Sequence, residues 1–237
     1  MTDIRAVVIN CWGARWGGGR KAWLKRLPRL KERIQHSLND LVQAGPSIVT
    51  ATELSALEAK ELCAALGEGW AFKNYLYSTV LYKGWKPGRS WSLTWNKGTH
   101  GTIVVELTRD GQIINVAATH LPPFSWRAGV RKRCMNDLAR FFKGWKDPVL
   151  MGGDFNWRNT LESYAAKLGF DSVRVKATNK IRSDYRTNGG WGPGSQIDYA
   201  FTQRMKKVRG YRVLRGWHPA THEIATDHNM ITVQVTA

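Results

Sequence analysis

The sequence has few cysteines: Cys11, Cys63 and Cys134 are the only three among 237 residues, and they lie far apart. This spacing matches neither a disulfide framework nor a cysteine-rich zinc site, and it indicates a reducing compartment. No apolar run reaches the roughly 20 residues that a membrane-spanning helix needs. The first residues also lack a basic region followed by a long apolar stretch, so no signal peptide is expected and a cytoplasmic location is predicted.

Acidic residues are also scarce. The 18 Asp and Glu residues are outnumbered by 36 Lys and Arg residues, which gives a net charge of +18 and an isoelectric point near 10.2. Solubility alone requires much less charge, about 2 to 8 for a small domain. A field of this sign and size favours a polyanionic partner, with nucleic acid first and an anionic membrane second.

Hydrophobic patterning predicts many short strands with a few helices between them. Strands are predicted at residues 7–10, 47–51, 71–74, 78–83, 102–107, 113–119, 148–151, 197–202, 208–214 and 230–235. Helices are predicted from near Pro28 to Gly45-Pro46 and at residues 56–66, 127–142 and 160–168. Pro28 is placed in the first helical turn because its missing N–H needs no partner there. This order predicts one α+β domain, residues 1–237, with two packed sheets covered by helices.

Several predicted strands carry a polar side chain at the point where the strand begins or ends. These residues are Asn10, Glu53, His120, Asp154, Asn156, Asp198, Asp227 and His228. Loops at the ends of rigid strands are the usual location of catalytic residues. Carboxylates, amides and histidines together suit a hard divalent cation and proton transfer. The absence of a cysteine cluster argues against zinc and favours magnesium.

Each of these residues also has a purely structural explanation. Asp154 and Asn156 could form a turn, because Gly, Asp and Asn favour turns. Glu53 could be an acid in the first turn of the next helix. His120 could be a buried histidine with satisfied hydrogen bonds, and Asp198 could be a turn residue. The occurrence of the whole set in one strongly basic chain favours the functional interpretation.

Taken in chain order, these segments resemble the endonuclease/exonuclease/phosphatase superfamily, which has the deoxyribonuclease-I-like fold. The matching segments are residues 8–10, 48–53, 118–121, 153–156, 196–199 and 226–228, so the resemblance covers essentially the whole chain. Gly-Asp-Phe-Asn, Ile-Asp-Tyr and Thr-Asp-His are fairly specific as a set. The resemblance implies a two-sheet β-sandwich flanked by helices, with one site at the sheet edges. His120 matches the deoxyribonuclease and phosphatase branches, and no tyrosine of the abasic-site repair branch aligns.

The resemblance also implies a metal site. Glu53 is then the chief ligand of Mg²⁺, or alternatively Mn²⁺, and Asn10 and Asp227 assist it.

The other polar residues receive catalytic roles by the same resemblance. Asp154 orients and deprotonates the attacking water, and Asn156 holds a phosphate oxygen. Asp198 orients His228, which contacts the phosphate. His120 donates to a phosphoryl oxygen or protonates the leaving group. The resemblance does not decide whether His120 or His228 is the general acid.

The expected function is therefore divalent-metal-dependent hydrolysis of nucleic acid by a monomer, with DNA favoured over RNA. The first interpretation is a DNA endonuclease that leaves 5′-phosphate and 3′-hydroxyl ends. One alternative is a phosphatase or phosphodiesterase acting on a phosphorylated lipid or small molecule, because the shared residues suit any phosphate ester. A second alternative is a non-catalytic nucleic-acid-binding protein on the same scaffold.

Basic residues concentrate in three segments, at 20–33, 127–146 and 204–215. Tryptophans near basic or Gly-rich segments are candidates for stacking on bases, with core packing as the alternative. These tryptophans are Trp85, Trp91, Trp126, Trp157 and Trp191.

Overall fold

A computed structural model describes residues 3–13, 15, 18–39, 47–95, 98–123, 128–157, 160–181, 197–214, 226 and 228–237. The strands are Asp3–Asn10 (β1), Ser47–Thr52 (β2), Trp70–Tyr75 (β3), Ser78–Lys83 (β4), Lys86–Trp95 (β5), His100–Arg109 (β6), Gln112–His120 (β7), Val149–Asp154 (β8), Asp171–Ser172 (β9), Asn179–Ile181 (β10), Asp198–Gln203 (β11), Lys207–Leu214 (β12) and Met230–Thr236 (β13). The helices are Gly19–Asn39 (α1), Ala56–Leu66 (α2), Ala128–Phe141 (α3), Leu161–Lys167 (α4) and Val173–Lys176 (α5).

The strands form two mixed sheets that pack face to face, with helices on the outside. The first sheet has seven strands in the order β10-β12-β13-β1-β2-β4-β3, and the second has six in the order β5-β6-β7-β8-β11-β9. The central pairs β1–β2 and β7–β8 are parallel. This arrangement is the deoxyribonuclease-I-like fold, and the α+β sandwich expected from the sequence is confirmed.

Alternating side chains build three layers of core. Along β1, Ile4 and Val8 point between the sheets, whereas Val7 and Ile9 pack on the outer side. This alternation follows from the two-residue period of a strand, and both faces are apolar because both are covered. The outer face of the second sheet packs on Met135 and other residues of α3 and on residues of α4. The central strands are therefore held rigidly from both sides.

Helix α1 begins nine residues earlier than predicted. It starts at Gly19, and Pro28 lies exposed inside it. The proline leaves the carbonyl of Leu24 without its helical N–H partner, and the half-exposed Leu24 faces solvent, where water can satisfy that carbonyl. The sequence prediction was wrong because an exposed helix face tolerates a proline that a buried face would not. Residues Gly45-Pro46, predicted to end the helix, lie outside the described residues.

Strand β5 was missed by the sequence prediction. Its first half, Lys86 to Ser90, contains proline and glycine and is exposed, so it has the composition of a loop. It forms the edge of the second sheet and has a register shift between Pro87 and Ser90. Edge strands and bulges are the positions where a sheet accepts proline. The short elements β9, α5 and β10 were also missed.

Two adjacent glycines of β8 let the backbone pass through a crowded region. A β-carbon at Gly152 would overlap Val8 and Thr50 of the facing sheet. A β-carbon at Gly153, whose φ is 151°, would overlap the backbone of Thr119 on the neighbouring strand. Glycine is therefore required in the strand that carries Asp154.

Replacing Gly153 by Ala is expected to lower the free energy of unfolding by more than about 3 kcal/mol, since overpacking adds to an unfavourable φ. Urea unfolding measures this loss. The matched control is Gly129→Ala in α3, where nothing crowds the position and the change should stabilise by up to about 1 kcal/mol. Equal effects of the two substitutions would contradict the described backbone.

Across the described helices, none is both long and apolar enough to cross a membrane.

Candidate active site

The polar residues predicted at strand ends meet at one edge of the sandwich. In the first sheet, Asn10 at the end of β1 is aligned with Thr52 at the end of β2. In the second sheet, Asp154 at the end of β8 is aligned with His120 on one side and with Asp198 on the other. The strand register thus brings residues far apart in sequence to the same edge.

Asp154 is the centre of this cluster. It is 2% exposed. Its Oδ2 accepts a hydrogen bond from Asn10 Nδ2 at 3.0 Å, and its Oδ1 accepts one from the backbone N–H of Asn156 at 2.8 Å. The same Asn10 amide donates to Glu53 Oε1 at 3.0 Å. Asn10 therefore links the two carboxylates across the two sheets.

Asp198 and His228 form a buried pair beside this centre. The carboxylate Oδ2 of Asp198 lies 2.7 Å from Nδ1 of His228, and Nε2 of His228 lies 4.0 Å from Oδ2 of Asp154. Asp198 is fully buried at the start of β11, so its explanation as a turn residue is wrong. A carboxylate on Nδ1 fixes the ring orientation and leaves Nε2 directed at the cluster.

Glu53 lies outside the helix that follows it. Helix α2 is capped by Ser55, whose side chain accepts from the backbone of Glu58 while the Glu58 carboxylate accepts from Ser55. The helix-starting explanation of Glu53 is therefore wrong, because Ser55 and Glu58 already make the capping box. Glu53 has a φ of 63°, a region that non-glycine residues rarely adopt. Such backbone strain is typical of functional sites.

The electrostatics of the cluster suit a divalent cation. Burial, followed by repulsion from Asp198 and Glu53, raises the pKa of Asp154 to about 8, while His228 acts in the opposite direction. Glu53, His120 and Asp154 offer ligand atoms within 4.8 Å of one another, and so do Asp154, Asp198 and His228. A cation among the carboxylates would offset their repulsion, so these donors fit a hard divalent ion.

His120 is buried at the end of β7, where it faces a second histidine. The ring centre of His100 lies 4.6 Å from that of His120, and Thr99 contacts Nδ1 of His100 at 2.9 Å. Burial, followed by repulsion from His100 and His228, holds the pKa of His120 well below its usual value. The sequence analysis missed His100, because only the β6–β7 pairing brings it to the site.

Two further side chains support the cluster and were also missed. The guanidinium of Arg26 lies over the Trp12 ring at 4.5 Å and donates to the Trp12 carbonyl at 2.6 Å. The backbone N–H of Trp12 in turn donates to Oδ1 of Asn10 at 3.0 Å. Thr226 donates to the Asn10 carbonyl at 2.5 Å and accepts from the backbone N–H of His228. No spacing in the sequence identifies these contacts.

The remaining predicted residues are placed as follows. Asn156 lies beside the cluster with a φ of 49°, and its Nδ2 donates to the Leu121 carbonyl at 2.9 Å. The amide has a second N–H that this bond does not use. Asp227 lies outside the described residues. Among the described residues, the structure therefore brings together every predicted site residue.

A match to a known family extends over most of the chain. A family model described as the Endonuclease/Exonuclease/phosphatase family matches residues 8–228. The chain belongs to this family. Members of the family are hydrolases that act on phosphoester bonds and generally use divalent metals.

Solved structures share the fold at low identity. An endonuclease/exonuclease/phosphatase from Bacteroides vulgatus is 16% identical with a TM-score of 0.81, covering 99% of both chains. Truncated Caenorhabditis elegans TDP2 is 15% identical with a TM-score of 0.75, covering 99% of this chain and 98% of its own. A mannosyl-6-phosphatase from Bacteroides thetaiotaomicron is 15% identical with a TM-score of 0.75, covering all of both chains. The comparison with curated proteins found no significant match.

Proposed function

We propose that this family member is a magnesium-dependent phosphodiesterase that hydrolyses nucleic acid, as a DNA endonuclease leaving 5′-phosphate and 3′-hydroxyl ends. The observation that carries the proposal is the cluster at one edge of the sandwich, in which the buried Asp154 and the buried Asp198–His228 pair lie beside the partly buried Glu53. We also propose that residues 1–237 form one catalytic domain and act as a monomer.

The cation would be held by Glu53, with Asn10 and Asp227 assisting. Once bound, it would neutralise charge on the phosphoryl oxygens and polarise water. Glu53 accepts a hydrogen bond from Asn10, so the ends of two neighbouring strands of the first sheet offer these ligands at the same point. Mn²⁺ prefers similar oxygen ligands and is expected to replace Mg²⁺.

Hydrolysis then requires an aligned water and a donor for the leaving oxygen. Asp154 orients the water and accepts its proton, while the second amide N–H of Asn156 holds a phosphate oxygen. His228, fixed by Asp198, directs Nε2 towards the phosphate. His120 donates to a phosphoryl oxygen or protonates the leaving group, and one of these two histidines acts as the general acid.

The basic surface supports nucleic acid as the substrate. Lys21 and Lys25 are exposed on α1, as is Arg20, which is paired with Glu61 of α2. Lys132 and Arg133 are exposed on α3. Arg26 and Arg131 belong to the same basic segments but are buried, so they do not contribute to this surface.

The tryptophans considered for stacking on bases also differ in burial. Trp85 and Trp157 are buried in the core, so the packing explanation is right for both. Trp91 is half-buried, and Trp126 and Trp191 lie outside the described residues.

A substrate panel tests the proposed function. Supercoiled, linear, single-stranded and abasic DNA, RNA, a phosphoinositide and a small sugar phosphate are each incubated with Mg²⁺ and with chelator. Relaxation of supercoiled plasmid only in Mg²⁺ is the expected result. Hydrolysis of the sugar phosphate or the lipid without any DNA cleavage would select the phosphatase alternative. This alternative is included because a mannosyl-6-phosphatase shares the fold. Gel retardation of DNA without hydrolysis in Mg²⁺ or in Mn²⁺ would select the non-catalytic alternative.

Affinity for duplex DNA, measured by gel shift in chelator, is expected to fall steeply with salt. Contacts to 6–10 phosphates predict a loss of roughly 10³- to 10⁵-fold between 50 and 200 mM salt, because released counterions dominate the binding free energy. The variant Lys21→Ala/Lys25→Ala should show a shallower salt dependence, whereas Lys73→Ala on β3 serves as the control. Affinity that does not change over this range would contradict a phosphate-binding surface.

A further inference from the structure

A second cavity lies at the opposite end of the second sheet from the catalytic cleft. Asn115 near the start of β7 is aligned with Val149, the first residue of β8, whereas His120 is aligned with Asp154, the last. His120 is five residues further along β7 than Asn115, which is roughly 17 Å at about 3.3 Å per residue. The cavity has a volume of about 360 Å³, within the range of small-molecule sites. It is lined by Arg89, Trp91, Glu106, Asn115, Trp145, Lys146 and Asp147.

Asn115 is the most unusual residue of this lining. It is 1% exposed, and its backbone N–H is already bonded to the Pro148 carbonyl at 2.8 Å. Within the described part of the chain, neither Nδ2 nor Oδ1 of its side chain has a hydrogen-bond partner. A buried amide without partners destabilises the folded protein. A ligand that offers an adjacent donor and acceptor would satisfy both atoms.

Two tryptophans give the cavity an aromatic wall. The ring centres of Trp91 and Trp145 are 4.9 Å apart at an interplanar angle of 60°, and both side chains are half-buried. An indole that is partly exposed beside a cavity presents a surface on which a flat heterocycle can stack. The wall therefore suits a planar aromatic ligand.

Charged residues at the rim add specificity. The guanidinium of Arg89, on an exposed side chain, lies over Trp91 at 5.3 Å and pairs with Glu106 at 3.3 Å. Lys146 is exposed beside Trp145. Two cations suit a phosphate outside the cavity, and the Glu106 carboxylate favours an amino group over a carbonyl within it.

We propose that this cavity binds the adenine base of a nucleotide. The base would stack on the tryptophan wall, and its N6 amino group and N7 would pair with the carbonyl and amide N–H of Asn115, the pairing that asparagine makes best. The attached phosphate would lie near Arg89 and Lys146. The ligand chemistry is common to a free adenine nucleotide and to an adenine of single-stranded nucleic acid. This site would exist whether or not the catalytic cleft hydrolyses DNA.

The test is calorimetric binding in chelator, with AMP and UMP as mononucleotides and with hexamers of dA and dT. The protein is expected to bind AMP more tightly than UMP by at least roughly fivefold, the range of one bidentate base contact. The variant Asn115→Leu should lose this preference and melt at a higher temperature, since an apolar side chain replaces two unpartnered polar atoms. The control Asn136→Leu on α3, which loses one bond from Tyr164, should keep the preference.

A second variant keeps the proposal testable if Asn115→Leu does not fold. Trp91→Ala should weaken binding of both mononucleotides by roughly 5- to 100-fold, because stacking does not distinguish bases. A dA hexamer that binds more tightly than AMP, by a margin that Asn115→Leu removes, identifies single-stranded nucleic acid as the source, and a dA affinity that Asn115→Leu leaves unchanged identifies the free nucleotide. Equal binding of AMP and UMP by the unmodified protein, or an AMP preference that survives Asn115→Leu, would overturn the proposal.

Discussion

Replacing Asp154 by Asn is expected to reduce magnesium-dependent hydrolysis by roughly 10²- to 10⁴-fold, the size of a general-base contribution, or more. The carboxylate is buried, its two oxygens are oriented by Asn10 and by the backbone of Asn156, and it lies 4.0 Å from His228. An amide of the same shape preserves one acceptor but cannot take a proton from water. Initial rates on supercoiled plasmid, or on whichever ester the substrate panel selects, measure the loss.

The same substitution should leave the protein folded. Asp154 is crowded by Asp198 and Glu53, whose repulsion helps to raise its pKa, and a neutral amide avoids this repulsion, which offsets the lost hydrogen bond. The melting temperature without metal is therefore expected to stay equal or to rise. Asp137→Asn on the surface of α3 is the matched control and should keep full activity. A variant at Asp154 that hydrolyses as fast as the unmodified protein would refute the assigned role.

The second large effect is expected at the Asp198–His228 pair. His228→Gln and Asp198→Asn should each lower the rate by roughly 10²- to 10⁴-fold, because the carboxylate fixes the ring that contacts the phosphate. Since the two residues act as one unit, the double variant should be little slower than either single variant. Rates of the three variants, compared in a double-mutant cycle, measure this coupling.

His36→Gln on the exposed end of α1 is the control for the histidine substitution and should not change the rate. If the double variant is slowed by the product of the two single effects, Asp198 and His228 contribute independently to the rate. That outcome would contradict the pairing seen at 2.7 Å.

Much of the fold could be predicted because the residues that indicate a helix or strand lie within that element or directly beside it. The limits of α2 match the prediction because apolar spacing and the Ser55–Glu58 capping box agree. The apolar run at residues 148–151 was recognised as a strand because both of its faces are covered. Strand β5 and the start of α1 were missed because solvent exposure, which only the folded chain reveals, decides whether proline is tolerated.

The candidate site was predictable for a different reason. Residues such as Asp154 and Asp198 lie at strand ends in motifs that resemble those of a known family. The order of those motifs implied that the residues lie close together in the fold. His100 and Arg26 have no such motif. His100 reaches the cleft through strand pairing, and Arg26 reaches it through the packing of α1 on the loop after β1. Asn115 was equally hidden, because burial without a partner is a property of the folded protein.

The most direct test of the cation-holding cleft is a titration with Mn²⁺, in which electron paramagnetic resonance measures the free ion. The unmodified protein is predicted to bind Mn²⁺ at the cleft, and Glu53→Gln should weaken this binding by more than roughly tenfold, as loss of even an indirect ligand contact does. The control Glu32→Gln on the exposed face of α1 should leave the affinity unchanged. No Mn²⁺ binding by the unmodified protein, or equal affinity in Glu53→Gln, would contradict the account.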